Sequence, residues 1–122
     1  MWYNLKKSYK IEKYGGQQTI DSLKTSDKDE AIKVLKQKYS SFFKNLKRSV
    51  VYKNYFITHS GVSSKYMTTD QKDIPLKELL FNRHEFIDSN KLYKDKFKVI
   101  FGHTAFYQPY VDNFKIGIDT GA

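Results

Sequence analysis

Apolar and polar residues follow two different rhythms along this chain, and the change between them organises it. Ile32, Leu35, Tyr39, Phe42 or Phe43, and Leu46 recur at spacings of three and four, the period of one helix face. Lys33, Lys36, Lys38 and Lys44 occupy the other side, so the pattern predicts an amphipathic helix with a solvated back. Asp27 stands where an N-cap belongs, with Glu30 three residues on as its capping-box partner. From Ser49 the rhythm becomes that of strands. Val50-Val51-Tyr52 and Tyr55-Phe56-Ile57-Thr58 flank a Lys53-Asn54 turn. A second helix is predicted after Asp73, with Pro75 at its first position, Leu76, Leu79, Leu80 and Phe81 facing inward, and Asn82 to Phe86 closing it. Two further strands follow, one at Val99-Ile100-Phe101 and one marked by Phe114, Ile116 and Ile118. Upstream, Trp2, Leu5 and Tyr9 lie at helical spacing as far as Gly15-Gly16, and Thr19 to Leu23 suit one more helical turn. The order predicts one domain over residues 1–122, a mixed α/β (α+β) fold with helices on one face of a sheet. So few strands leave sheet edges and an apolar face exposed.

Composition narrows the chemistry. With 39% hydrophobic residues the chain can build a core, and with no cysteine it has no disulfide, thiolate ligand or cysteine nucleophile. Carboxylates and three histidines remain for any metal. Charges run through MWYNLKKSYKIEK, so it is not a secretory signal, and no apolar run is long enough to cross a bilayer. The expected compartment is the cytoplasm. The net charge of +9 raises the question of nucleic acid. Yet the cations are scattered lysines apart from Arg48 and Arg83, and readout of bases or phosphates favours arginine forks. A solvated lysine surface accounts for the charge better.

Candidate chemistry concentrates where strands end. His59 follows Tyr55 to Thr58 and precedes Ser60-Gly61; His103 follows Val99 to Gly102. Each is an imidazole just past an apolar strand, next to a small-residue turn where backbone can approach closely. Neutral imidazole ligates first-row divalent metals. Arg83, at the end of the second helix, suits either a cation at a helix C-terminus or a bidentate phosphate clamp. His84 reads as a surface residue, and Asp119 as a residue that hydrogen-bonds the turn after it.

Taken in order, YFITHSGVS, LLFNRHEF and FGHTAFYQPYVDNFKIGIDTGA resemble the phosphoprotein (Ser/Thr) phosphatases among the calcineurin-like metallophosphoesterases. That family shows a strand running into H-A-G, a later W-x-R, then G-H-T, a proline, and I-D-T-G-A. GGQQTIDSL is similar to its G-G-x-x-T stretch, so the resemblance covers about Tyr14 to Ala122. It implies that His59 and His103 ligate the same one of two metal ions and that Arg83 grips the substrate phosphate. Ser60 stands where alanine is usual, and Phe81-Asn82 where a tryptophan-containing pair is usual. Thr104-Ala105 after His103 follows the phosphatase branch rather than G-H-x-H relatives.

The family's G-D-x-H-G, G-D-x-x-D-R-G and G-N-H-E motifs do not occur in these 122 residues. The resemblance is therefore to the middle and C-terminal part of a metallophosphoesterase β-sandwich flanked by helices, without its N-terminal half. It implies divalent metals (manganese, or iron, zinc or nickel) held weakly by this chain alone, and a phosphorylated protein or nucleotide as substrate. Phosphatase activity is expected to need a complementing N-terminal chain. A symmetrical diadenosine tetraphosphate hydrolase and a non-catalytic basic binding protein are the alternatives.

Overall fold

The computed structural model describes Gln18, Asp21, Ser22 and residues 27–121. The helical spacing at Trp2, Leu5 and Tyr9 and the Gly15-Gly16 stop lie outside the described residues. The chain divides into two compact units, Met1–Leu46 and Lys47–Ala122.

In the first unit, helix α1 (Lys28–Asn45) forms where the three-and-four spacing predicts it. The Asp27 carboxylate accepts from the N–H groups of Asp29, at 2.8 Å, and Glu30, at 3.4 Å. These are donors that a first helical turn cannot satisfy itself. Asp29 and Glu30 near the start and Lys44 near the end complement the helix dipole.

The second unit is a mixed α+β assembly on an open five-stranded sheet, order β1-β2-β3-β5-β4. The strands are β1 (Val50–Tyr52), β2 (Tyr55–Ile57), β3 (Lys98–Phe101), β4 (Tyr110–Val111) and β5 (Lys115–Gly117). The β1–β2 hairpin turns through Lys53 in the left-handed region, φ 52°. Strands β2, β3 and β5 run parallel, and β1 and β4 pair antiparallel at the two edges. Between β2 and β3 lie a 3₁₀ turn (Ser64–Tyr66) and two short helices, α2 (Leu76–Phe81) and α3 (His84–Ile87). The second helix is thus broken at Asn82-Arg83 instead of closing through Phe86, and Pro75 stands one residue before its first helical position. The two-residue β4 follows Pro109, where the sequence suggests only a loop. No described helix is long and apolar enough to cross a membrane.

One face of the sheet carries the core. Phe56, Val99 and Phe101 point into it and meet Val62, Met67, Ile74, Leu79, Phe86 and Tyr93 from the connections. Phe56 stacks on Tyr93 with ring centres 3.9 Å apart, and Phe86 meets Phe101 edge to face at 4.9 Å. The opposite face presents Val50, Tyr52, Tyr55, Ile57, Ile100, Ile116 and Val111, none of them buried. Apolar residues on both faces of the parallel strands are what a sheet intended for cover on both sides requires.

Strand β5 inverts its sequence pattern. Phe114, Ile116 and Ile118 mark it in the sequence, yet Lys115 and Gly117 face the core, and Lys115 is 1% exposed. The Lys115 ammonium donates to the Ser89 carbonyl, lies 3.3 Å from an Asp112 oxygen, and sits over the Phe86 ring. Gly117 is required here, because a Cβ would lie 2.9 Å from the Phe106 ring and 3.0 Å from Phe101. Burial pushes the Asp112 carboxyl up. The N–H groups of Phe114 and Lys115, the Tyr110 hydroxyl and the Lys115 ammonium outweigh it and hold the group below the usual carboxylate range. Replacing Lys115 by Ala removes the cation from Asp112, leaves the Ser89 carbonyl without its ammonium donor and opens a cavity. Urea denaturation is expected to show a loss of about 2 to 4 kcal/mol. Val111→Ala, on the exposed edge, is expected to change stability by less than about 0.5 kcal/mol.

Candidate functional site

The site forms beyond the carboxyl ends of the parallel strands, where open α/β sheets place their ligands. Two residues past its last position, each parallel strand delivers a side chain with ligating chemistry. His59 follows β2, His103 follows β3, and Asp119 follows β5. Backbone hydrogen bonds extend the pairing into these loops. Thr58 N–H donates to the Ile100 carbonyl at 3.0 Å, Gly102 N–H to the His59 carbonyl at 2.8 Å, and Ile118 N–H to the Phe101 carbonyl at 2.9 Å.

The two imidazoles that the sequence singles out therefore meet. Their ring centres lie 5.0 Å apart with planes inclined at 50°. Two imidazoles on adjacent positions of one ion, each bound at about 2.1 Å, have ring centres roughly 4.5 to 5.2 Å apart. The observed separation falls in that range, while among the described residues no group of three or more histidines, aspartates and glutamates is placed to hold a metal.

The turn at His103 differs from the expectation built on its glycine. A Cβ at Gly102 would make only ordinary contacts, 3.6 Å from Asp119 Cβ and from the His59 carbonyl. The left-handed conformation belongs instead to His103 itself, φ 66°. Non-glycine residues in that region cost roughly 1–3 kcal/mol and cluster at functional sites. Next to it, the Thr104 hydroxyl oxygen is shielded from solvent and has no hydrogen-bond partner among the described residues.

Arg83 arrives by another route. It lies between α2 and α3, exposed; its carbonyl accepts from the N–H groups of Phe86 and Ile87, and its guanidinium has no hydrogen bond or salt bridge among the described residues. The loop after His59 is tied to this segment at several points. Ser60 N–H donates to the Leu79 carbonyl at 2.9 Å. The Ser60 hydroxyl donates to the Glu78 carbonyl at 3.2 Å and accepts from Asn82 N–H at 3.0 Å. The Glu78 carboxylate accepts from Ser63 N–H at 2.7 Å and from the Asn82 side-chain amide. Gly61, at φ +87°, lies so close to Phe86 that a Cβ would fall 2.1 Å from the ring. Only glycine serves there. Phe81, 65% exposed, stands edge to face with His103 at 6.1 Å.

His103 is held below the ordinary histidine value. Burial is the main cause, the positive charges of Arg83 and His59 add to it, and Asp119 opposes them. A neutral imidazole is the ligating form. Asp119 thus has two roles. One carboxylate oxygen accepts from Gly121 N–H at 2.9 Å, the turn bond that the sequence suggests, while the other lies toward Gly102. Its membership of the cluster is a signal that a parallel register for the three strands would have supplied. Glu78 and Asn82 carry no such signal, because their bonds to the histidine loop, at Ser63 and Ser60, join residues 15 and 22 positions apart. His84 is exposed, as expected of a surface residue.

Comparison with profiles of known protein families gives no match, and neither does comparison with curated proteins.

The environment of His103 has a measurable consequence. Its ring protons are expected to titrate below 6.5 in an NMR pH series, and Arg83→Gln is expected to raise the midpoint. A midpoint at or above 6.5 would contradict the electrostatics. Between the lowered native value and 6.5 the unfolded chain binds more protons, so His103 makes stability rise with pH across that window.

Proposed function

We propose that this chain carries one half of a metal-dependent phosphoesterase centre of the phosphoprotein phosphatase type. The observation that supports it most is the approach of the two imidazoles to 5.0 Å at the ends of adjacent parallel strands, with the Arg83 charge acting on the same ring. In this reading His59 and His103 hold one divalent ion, manganese or else iron, zinc or nickel. Arg83 offers two parallel N–H donors to phosphate oxygens, the geometry in which guanidinium recognises phosphate best. A bound divalent ion supplies Lewis-acid stabilisation of phosphoryl oxygens and an activated water. The chain's own groups position and neutralise the phosphate, which is most of what phosphoryl transfer asks of a protein. The substrate is a phosphorylated protein or a nucleotide.

The ligands that two imidazoles leave open come from a second element, in a longer polypeptide or in a partner chain. The same reading makes the five-stranded sheet one layer of a β-sandwich. Its incompletely covered apolar face, with Ile57, Ile100 and Ile116 at the centre, suits a second layer.

Mn²⁺ titration followed by NMR tests the assignment. Ring-proton signals of His59 and His103 are expected to broaden together, and either His59→Ala or His103→Ala is expected to protect the remaining imidazole. Inorganic phosphate is expected to shift the Arg83 side-chain signal. Independent responses of the two rings would count against a shared ion. Hydrolysis of p-nitrophenyl phosphate by this chain alone with Mn²⁺ is expected to be absent. Turnover that disappears in His59→Ala and His103→Ala would show that the chain completes its own centre.

A further inference from the structure

We infer that Glu78 and Ser60 are positioning residues that set the phosphate arginine against the histidine pair. This rests on the reading of His59, His103 and Arg83 as a metal and phosphate site. The two halves of that site are held by different means. His59 and His103 belong to adjacent paired strands, and the bond from Gly102 N–H to the His59 carbonyl carries the pairing up to the histidines themselves. Their separation is a property of the sheet. Arg83 has no such support, since it follows a six-residue helix and precedes one of four residues.

Its register against His59 depends on a clasp between the residue after His59 and the residue before Arg83. Asn82 N–H donates to the Ser60 hydroxyl, which in turn donates to the Glu78 carbonyl. The Glu78 carboxylate bonds both sides at once, through Ser63 N–H on the histidine loop and the Asn82 amide on the arginine side. Ser60 is 1% exposed and Asn82 9%, so water does not replace these partners readily when they are lost. A carboxylate acceptor makes its bonds charge-assisted. The family pattern that the sequence resembles has alanine at the Ser60 position and a tryptophan-containing pair in place of Phe81-Asn82. The clasp belongs to this chain and not to that pattern. A displacement of about 1 Å in a group that must meet a bound phosphate is enough to impair its work.

The test compares Glu78→Ala, Ser60→Ala and Glu78→Gln in the full 122-residue chain. Three readouts are followed: inorganic phosphate affinity from the Arg83 signal, Mn²⁺ broadening at His59 and His103, and thermal unfolding. Phosphate affinity is expected to fall roughly fivefold to tenfold in the two alanine variants, the loss of one or two buried or charge-assisted bonds. Mn²⁺ broadening at both rings is expected to stay as in the unsubstituted chain. Glu78→Gln keeps an amide oxygen as acceptor and is expected to restore most of the phosphate affinity. A purely structural role would lower the Mn²⁺ and phosphate responses together, and that result would overturn the inference. So would unchanged phosphate affinity in both alanine variants, provided Arg83→Gln abolishes it. Phosphate binding indifferent to Arg83→Gln would remove the underlying site assignment, and the inference with it. Ser60→Ala, which deletes a single oxygen, carries the comparison if Glu78→Ala does not fold.

Discussion

The backbone ladder that joins β2, β3 and β5 does not stop where the strands do. Three hydrogen bonds, from Thr58, Gly102 and Ile118, carry the pairing past the last regular residues and into the loops. Side chains on neighbouring parallel strands are then delivered at one level, without any contact between the side chains having to arrange it. His59, His103 and Asp119 share an edge for that reason. The left-handed turn at His103 is held by the Gly102 N–H bond to the His59 carbonyl before it and by the Thr104 N–H bond to the Gly102 carbonyl and the Phe106 N–H bond to the Asp119 carbonyl after it. Strain of this kind persists only where surrounding structure over-determines it.

Legibility in the sequence followed the range of the interactions. Local signals were clear: the Asp27 cap, the stripe along α1, the hairpin turn at Lys53-Asn54 and the apolar runs of β2 and β3 all sit where their neighbours in the chain dictate. The break at Asn82-Arg83 was not clear, because what ends α2 there includes the Ser60 hydroxyl capturing Asn82 N–H from 22 positions away. The short β4 is made by pairing with β5 and has no pattern of its own. For the site, the two histidines were legible as strand-end imidazoles, and their convergence required the parallel order of the strands. The sequence shows Asp119 only through its local turn bond, while its other oxygen lies toward Gly102.

The charges around the histidines form a graded set. Burial first, and then the positive charges of Arg83 and His59, press the His103 proton off, and Asp119 draws it back with less effect. Positive potential at a strand-end edge adds to burial in favouring neutral imidazole and attracts anions to the same place.

Lys115 shows how much depends on a residue far from that edge. Sliding β5 by one position would turn Phe114 and Ile116 toward the core in place of a lysine and a glycine. By hydrophobicity alone that pairing is the better one. The ammonium bonds to Ser89 and Asp112, together with the ring contacts that only Gly117 permits, select the observed alignment. The alignment also decides where Asp119 emerges, since a one-residue slip sends every later side chain to the opposite face. The buried cation therefore works as a frame marker for the strand, trading some apolar burial for an unambiguous reading of which residue reaches the histidines.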